Sequence, residues 1–242
     1  MRPLHAPSAV PGGERLFQRI YTRLGCEGRP PRFVVDYHPY SNLTHTIRLR
    51  DDTAYVRLSD ALGGAPRIIV EAVAAVLLSR LYRRRAPAEL LETYRHFSYA
   101  HSTRRRLLRL RRLRGRRMEH RPAGRHHDLE LLFDRLNRQY FNGALTAPRL
   151  AWSRRAWRTQ LGCFDPALSQ IVMSRQLDRP DVPGYVVGYV LYHEMLHIKH
   201  PVRFARCRRE SHSAGFRKEE KCFAEYGRAV KFLEHFPAKS AR

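Results

Sequence analysis

His193, Glu194 and His197 stand in the order His-Glu-x-x-His, within the run Tyr192-His193-Glu194-Met195-Leu196-His197. Positions four apart share one face of an α-helix, so both imidazoles can reach a single ion. Glu194 lies about 100° round the helix from His193, beside the metal yet free to take a proton from water. Zinc held by three protein ligands keeps a fourth position for water and lowers the pKa of that water to about 7. The pattern points to metal-assisted hydrolysis, with one Zn2+ per chain as cofactor and Glu194 as general base.

The third ligand must come from farther along the chain. His212 is placed at the opening of a final predicted helix, on the face it shares with Phe216 and Phe223, and so points inward. His200 is nearer but stands beside Pro201, aimed away, and Glu219 or Glu220 would be the carboxylate choice. The expected set is His193, His197 and His212, with His200, Glu219 or Glu220 as substitutes for the third position. The plain alternative to a metal site is a helix with two ordinary surface histidines. Val186, Val187, Val190, Leu191 and Ile198 argue against it, because they would bury the helix that carries the motif. Tyr185, Tyr189 and Tyr192 precede the motif at helical spacing, which fits packing better than a part in stabilising an oxyanion.

The elements that position the motif can be read around it. Asp181 and Pro183 start a helix that runs to about Lys199, where Pro201 cannot continue it. Asp128 is a plausible N-cap, followed at helical spacing by Leu129, Leu132, Phe133, Leu136 and Tyr140, with Asn142-Gly143 as the stop. Leu150–Trp152 and Gln170–Met173 read as strands, and a last helix is predicted from about His212 to Phe236. Nearer the N-terminus, residues 1–13 carry three Pro and two Gly and read as a flexible lead-in. A helix over 15–24, strand-like runs at Phe33–Tyr37 and Thr53–Leu58, and a buried helix at Ile68–Leu81 follow.

The two halves match at an offset of 115–117 residues. Leu16-Phe17-Gln18-Arg19-Ile20 falls on Leu132-Phe133-Asp134-Arg135-Leu136, Pro31-Arg32-Phe33 on Pro148-Arg149-Leu150, and Leu58-Ser59 on Met173-Ser174. Self-similarity at a fixed period is a sign of architecture. The chemistry does not repeat: Leu77, Leu78 and Leu81 stand where His193, Glu194 and His197 would fall. The expectation is a duplicated fold whose first copy has lost its metal site. The alternative is two helix–strand–helix segments alike by pattern alone.

Charge is the other strong signal. Lys and Arg number 46 against 22 Asp and Glu, a formal net charge of +24, while 43% of the residues are hydrophobic and can build a core. Such a surplus favours a polyanionic partner, DNA or RNA first and an anionic membrane surface second. Between Arg104 and Arg125, eleven of 22 positions are Arg and only Glu119 is acidic, a stretch able to lie along phosphates. A solvated linker in an Arg-rich protein is its simpler reading. Cys26, Cys163, Cys207 and Cys222 form no CxxC pair, which excludes a zinc ribbon and suggests reduced thiols. No signal-like run or stretch of roughly 18–20 apolar residues is present, so a cytoplasmic protein, with the nucleoid as a further place and no membrane partner, is expected.

Leu131 to Leu145 (Leu-Leu-Phe-Asp-Arg-Leu-Asn-Arg-Gln-Tyr-Phe-Asn-Gly-Ala-Leu), Trp152-Ser153, Leu161-Gly162, Ile171–Ser174, His193–His197 and His212-Ser-Ala-Gly-Phe216 together resemble the SprT-like zinc metallopeptidase family, over about residues 129–217. The resemblance implies a minimal zincin fold and a third histidine on the helix after the motif, matching His212. Relatives of the Spartan type cleave proteins crosslinked to DNA, which implies proteolysis of DNA-associated proteins. It also implies that a strand near Gln170–Met173 could pair with an extended peptide. Two features depart from the family: the cysteine-rich zinc ribbon of many members is missing, and an additional N-terminal half is present.

The expected molecule is an α+β protein. A lead-in (1–13) precedes an N-terminal α+β domain that is an inactive zincin-like repeat (14–100), then an Arg-rich linker (101–127) and a zincin-like catalytic domain (128–238). Its expected function is zinc-dependent hydrolysis of peptide bonds in a protein or peptide substrate. The alternative is a non-enzymatic nucleic-acid-binding protein whose zinc site is structural or vestigial.

Overall fold

The computed structural model describes residues 8–157, 159–205 and 208–236. Cys207 therefore lies outside the described residues, and Cys26 and Cys222 are free thiols. No helix among the described residues is long and apolar enough to cross a membrane. The chain is mixed α+β and divides into two compact units, Met1–Gly115 and Arg116–Arg242.

The first unit begins with a short strand β1 (Ser8–Ala9), helix α1 (Gly13–Arg23) and strands β2 (Arg32–His38), β3 (Thr46–Arg50) and β4 (Thr53–Ser59). Three helices follow, α2 (Arg67–Leu81), α3 (Ala88–Tyr99) and α4 (His101–Arg114). The sheet order is β1-β2-β4-β3, with β2 and β4 parallel and β3 antiparallel to β4. Alternation along β4 turns Ala54, Val56 and Leu58 inward, where they meet Phe17 and Ile20 of α1 and Val73, Ala74 and Leu78 of α2. Residues 8–13 are not a loose lead-in: Ser8–Ala9 pair with Asp36–Tyr37, and Val10 is buried.

The Arg-rich segment is not a linker either. Its first part is α4, which buries Thr103 and Leu107. Arg106 donates to the carbonyls of Gly63 and Asp60, Arg111 to Ser41 Oγ, and Arg114 to Tyr40 O and the Asp60 carboxylate. Its second part belongs to the second unit. Met118 N–H donates to Gln170 Oε1, Arg121 N–H to Leu150 O, and Trp152 Nε1–H to Pro122 O. The density of charge hides these ties from a reading of composition, because each depends on where a carbonyl or apolar pocket stands in space.

The second unit holds α5 (Leu129–Phe141), β5 (Arg149–Trp152), β6 (Gly162–Asp165), β7 (Gln170–Met173) and α6 (Gly184–Lys199). A hairpin of β8 (Arg203–Ala205) and β9 (Arg208–Glu210) and two helices, α7 (Ala214–Glu220) and α8 (Tyr226–Glu234), complete it. Asp128 caps α5 by accepting from Glu130 N–H and Leu131 N–H, and Asn142 ends it at φ 52°. The expected single last helix is two helices, separated by the turn before Tyr226. The core joins Leu129, Phe133 and Leu136 of α5, Ile171 and Met173 of β7 and most of α6.

Its sheet order is β5-β7-β6, with β5 and β7 parallel and β6 antiparallel to β7. The succession α5-β5-β6-β7-α6 therefore repeats the order and pairing sense of α1-β2-β3-β4-α2, including a short 3-10 turn after the last strand of each set (Asp60–Leu62 and Arg175–Leu177).

Candidate metal centre

Helix α6 is buried on nearly every side, from Val186 through Leu196, and this fixes its rotation and axial position against the sheet. His193 and His197 remain partly accessible at its C-terminal end. His212 stands just ahead of α7, not within it. Ser213 is the N-cap, its Oγ accepting from Phe216 N–H at 3.2 Å, so helical geometry starts one residue after the cap. Phe216 is fully buried and its ring lies 5.1 Å from His193, 4.8 Å from His197 and 4.6 Å from His212, between centroids.

One ligand atom from each of His193, His197 and His212 can be chosen so that all three lie within 4.8 Å of one another, a group that could hold a metal ion. The donor set fits that use. Burial and the neighbouring imidazoles push the His197 pKa down to about 4, and burial lowers that of His212 as well. Both are therefore neutral near pH 7 and keep a lone pair for a cation. Nδ1 of His197 is buried with no hydrogen-bond partner among the described residues. Nδ1 of His193 donates to Glu220 Oε1 at 2.6 Å, the tautomer whose neutral ring has Nε2 as the lone-pair nitrogen.

Glu220 also accepts from Tyr189 Oη at 3.0 Å, and these bonds hold its carboxyl below the ordinary range. Glu220 thus stands behind a candidate ligand and outside the cluster of three, and it fixes the orientation of His193. Glu219 and His200 face each other, with 3.1 Å between a carboxylate oxygen and Nε2, and Glu219 also accepts from Lys199 Nζ at 2.7 Å. Neither belongs to the cluster of three. Tyr192 Oη donates to Glu219 O, and the Tyr185 ring lies under the Arg228 guanidinium, so packing accounts for both tyrosines.

Glu194 is 6% exposed and faces β6, with Oε2 accepting from Phe164 N–H at 2.8 Å. Burial raises its pKa, while the nearby His193 and the Phe164 N–H pull the other way. Strand β6 comes so close that a Cβ on Gly162 would meet Glu194 Oε1 at 2.7 Å. Glycine is required there for approach, not for backbone conformation.

The strand expected to receive a peptide is the wrong one: β7 is central, paired on both sides, so its backbone groups are taken. The strand with an open side next to Glu194 is β6, which sequence reading missed because four residues with Gly and Cys carry little strand signal. The support from Glu220 had no sequence signal beyond the four-residue spacing of Tyr189 and His193. No family model matches the chain, and neither a curated protein nor a solved structure matches it.

Proposed function

We propose that the chain is a zinc-dependent metallopeptidase of minimal zincin type, with His193, His197 and His212 as ligands and Glu194 as general base. The observation that carries this reading is the convergence of three imidazoles beside a carboxylate that is nearly sealed from solvent. A bound zinc ion supplies Lewis-acid polarisation of the scissile carbonyl and a lowered pKa for water. Glu194 takes a proton from the attacking water and returns it to the leaving amine. Its raised pKa favours holding that proton between the two transfers. An extended peptide laid along β6 passes the general base with its backbone in reach. The formal charge of +24 favours protein substrates that are themselves bound to nucleic acid.

The resemblance to SprT-like peptidases supports the same reading. The recurrent strand order supports reading the first unit as an inactive copy, in which the buried Leu77 and Leu78 fill the space of His193 and Glu194.

The test is metal content and proteolysis together. Wild type purified without chelators or a His-tag is expected to hold one zinc, which His212→Ala loses or binds far more weakly. Glu194→Gln is expected to keep zinc and lose cleavage of an unfolded protein substrate and of proteins bound to DNA. Cleavage retained by Glu194→Gln would remove Glu194 from the mechanism. A wild type that takes up no zinc even when it is added back would sink the peptidase reading.

A second reading, a nucleic-acid-binding protein without catalysis, has one specific observation behind it. Arg105, Arg109 and Arg112 stand exposed on one face of α4, and none has an ion-pair or hydrogen-bond partner among the described residues. Salt-sensitive binding to DNA or RNA that Glu194→Gln leaves unchanged, with no protein cleaved, would favour it.

A further inference from the structure

The sheet of the first unit has one face buried by helices and one open. On the open face the strand registers set out a grid. Arg32, Val34 and Asp36 of β2 stand beside Thr53, Tyr55 and Arg57 of β4, and these stand beside Arg50, Arg48 and Thr46 of β3. Alternation puts all nine on the same side, opposite the inward Phe33, Val35, Ala54 and Val56. Tyr55 is at the centre and is 47% exposed, high for an aromatic residue in the middle of a sheet.

Four arginines surround it. Arg48 is directly opposite Tyr55, at the roughly 4.5–5.5 Å Cβ separation of such pairs, and Arg57 is two residues along the same strand. Arg32 and Arg50 take the diagonal positions, roughly 7–8 Å away and within reach of long side chains. All four are exposed, and none has an ion-pair or hydrogen-bond partner for its side chain among the described residues. Asp36 is the only acid on the grid. The open cations contrast with Arg106, Arg111 and Arg114 of α4, which hold structural contacts in the same unit.

We propose that this open face binds single-stranded nucleic acid, with a base stacked on Tyr55 and the flanking phosphates met by Arg48, Arg57, Arg32 and Arg50. Charge complementarity selects a polyanion, and the central ring selects an exposed base face, which a duplex hides and a strand offers. A lipid surface has headgroup charge but nothing flat to stack. An acidic peptide has neither the regular phosphate spacing nor a base. The site is independent of the metal centre and narrows the nucleic-acid reading to a strand type.

The experiment uses the full chain, a labelled mixed-sequence single-stranded DNA, the same sequence as RNA, its duplex, and vesicles containing phosphatidylserine. Tyr55→Ala is expected to weaken binding of the single strands by about 5- to 150-fold, the range for one base–aromatic stack, and to change duplex binding little. Tyr55→Phe, which keeps the ring, is expected to restore binding. The pair Arg48→Ala with Arg57→Ala is expected to reduce the slope of log K against log salt by about 1.4, from roughly 0.7 per phosphate contact on single strands. All are surface positions, and circular dichroism with thermal melting checks that each variant is folded. Single-strand binding unchanged by Tyr55→Ala, or an equal loss on the duplex, overturns the proposal while leaving binding through α4 intact. Absence of nucleic-acid binding in the wild type, or binding to vesicles alone, overturns both.

Discussion

The imidazole of His193 and the carboxylate of Glu220 are joined by a 2.6 Å hydrogen bond from Nδ1 to Oε1. A carboxylate can only accept, so the neutral ring in this bond carries its proton on Nδ1 and its lone pair on Nε2. The bond therefore selects the tautomer that a cation needs, and Tyr189 Oη holds the carboxylate from a second side. Glu220→Ala is expected to lower zinc affinity by about 10- to 100-fold, as loss of such supporting carboxylates does. Glu220→Gln, whose amide oxygen can still accept, is expected to lose less. Competition against a chromophoric chelator reads both, and affinities equal to wild type would leave Glu220 with a packing role only.

Gly162 allows β6 to press against Glu194. In Gly162→Ala the new methyl would meet Glu194 Oε1 and Cγ at 2.7 and 2.8 Å, so one of the two elements must move. Overpacking of this kind costs about 1–3 kcal/mol, read as a lower midpoint in chemical denaturation. A displaced general base is expected to reduce cleavage by about 100-fold with zinc content unchanged. Full activity in Gly162→Ala would show that Glu194 works from another position.

Ser213 matters through what it caps. Its Oγ accepts from Phe216 N–H and sets the chain path that carries His212 to the other imidazoles. Ser213→Ala is expected to cost about 1 kcal/mol and to weaken zinc binding, whereas Ser213→Asp, another good N-cap, keeps both near wild type. Zinc affinity unaffected by the alanine change would uncouple the cap from the ligand.

His45 makes the first unit sensitive to acid. Its Nδ1 accepts from Ser59 N–H at 3.1 Å and its Nε2 faces Tyr94 Oη, and burial depresses its pKa to about 4. The unfolded chain binds a proton near pH 6.5 and the folded one near 4, so stability is undiminished above about 6.5 and falls as pH drops between these values. The full loss is on the order of 3 kcal/mol. The protection factors of Ser59 and the neighbouring β4 amides, which correct exchange for its intrinsic pH dependence, are expected to fall as pH drops through that window in wild type and much less in His45→Gln. An identical profile in both would assign the acid sensitivity to other groups.

What the sequence made legible follows the strength of local signals. Helix α5 could be read from Asp128 and the apolar spacing behind it, and α6 from Pro183, the His-Glu-x-x-His pattern and Pro201. The register of α6 could not, because a helix apolar all round has no face to read. Strand β3 alternates polar and apolar residues but is only five residues long, with Arg48 and Arg50 among them, and β8 and β9 are three residues each. His212 was identified while its local structure was not: the cap at Ser213 excludes it from the helix that its spacing from Phe216 suggested. The link from His193 to Glu220 and the approach of Gly162 to Glu194 exist only once distant segments pack, and no short window contains them.

The hairpin of β8 and β9 lies between His197 and His212 in the chain. An ion held by both histidines would therefore be a crosslink that closes a loop around the hairpin, much as a disulfide would. Opening of the hairpin and release of the first turn of α7 would then become a single event instead of two. Addition of zinc to the metal-free protein should slow amide exchange in β8, β9 and α7 together, leaving α5 and β7 as they were. The rate at which such an ion escapes would be set by the frequency of that concerted opening, and not by the strength of any one nitrogen–metal bond.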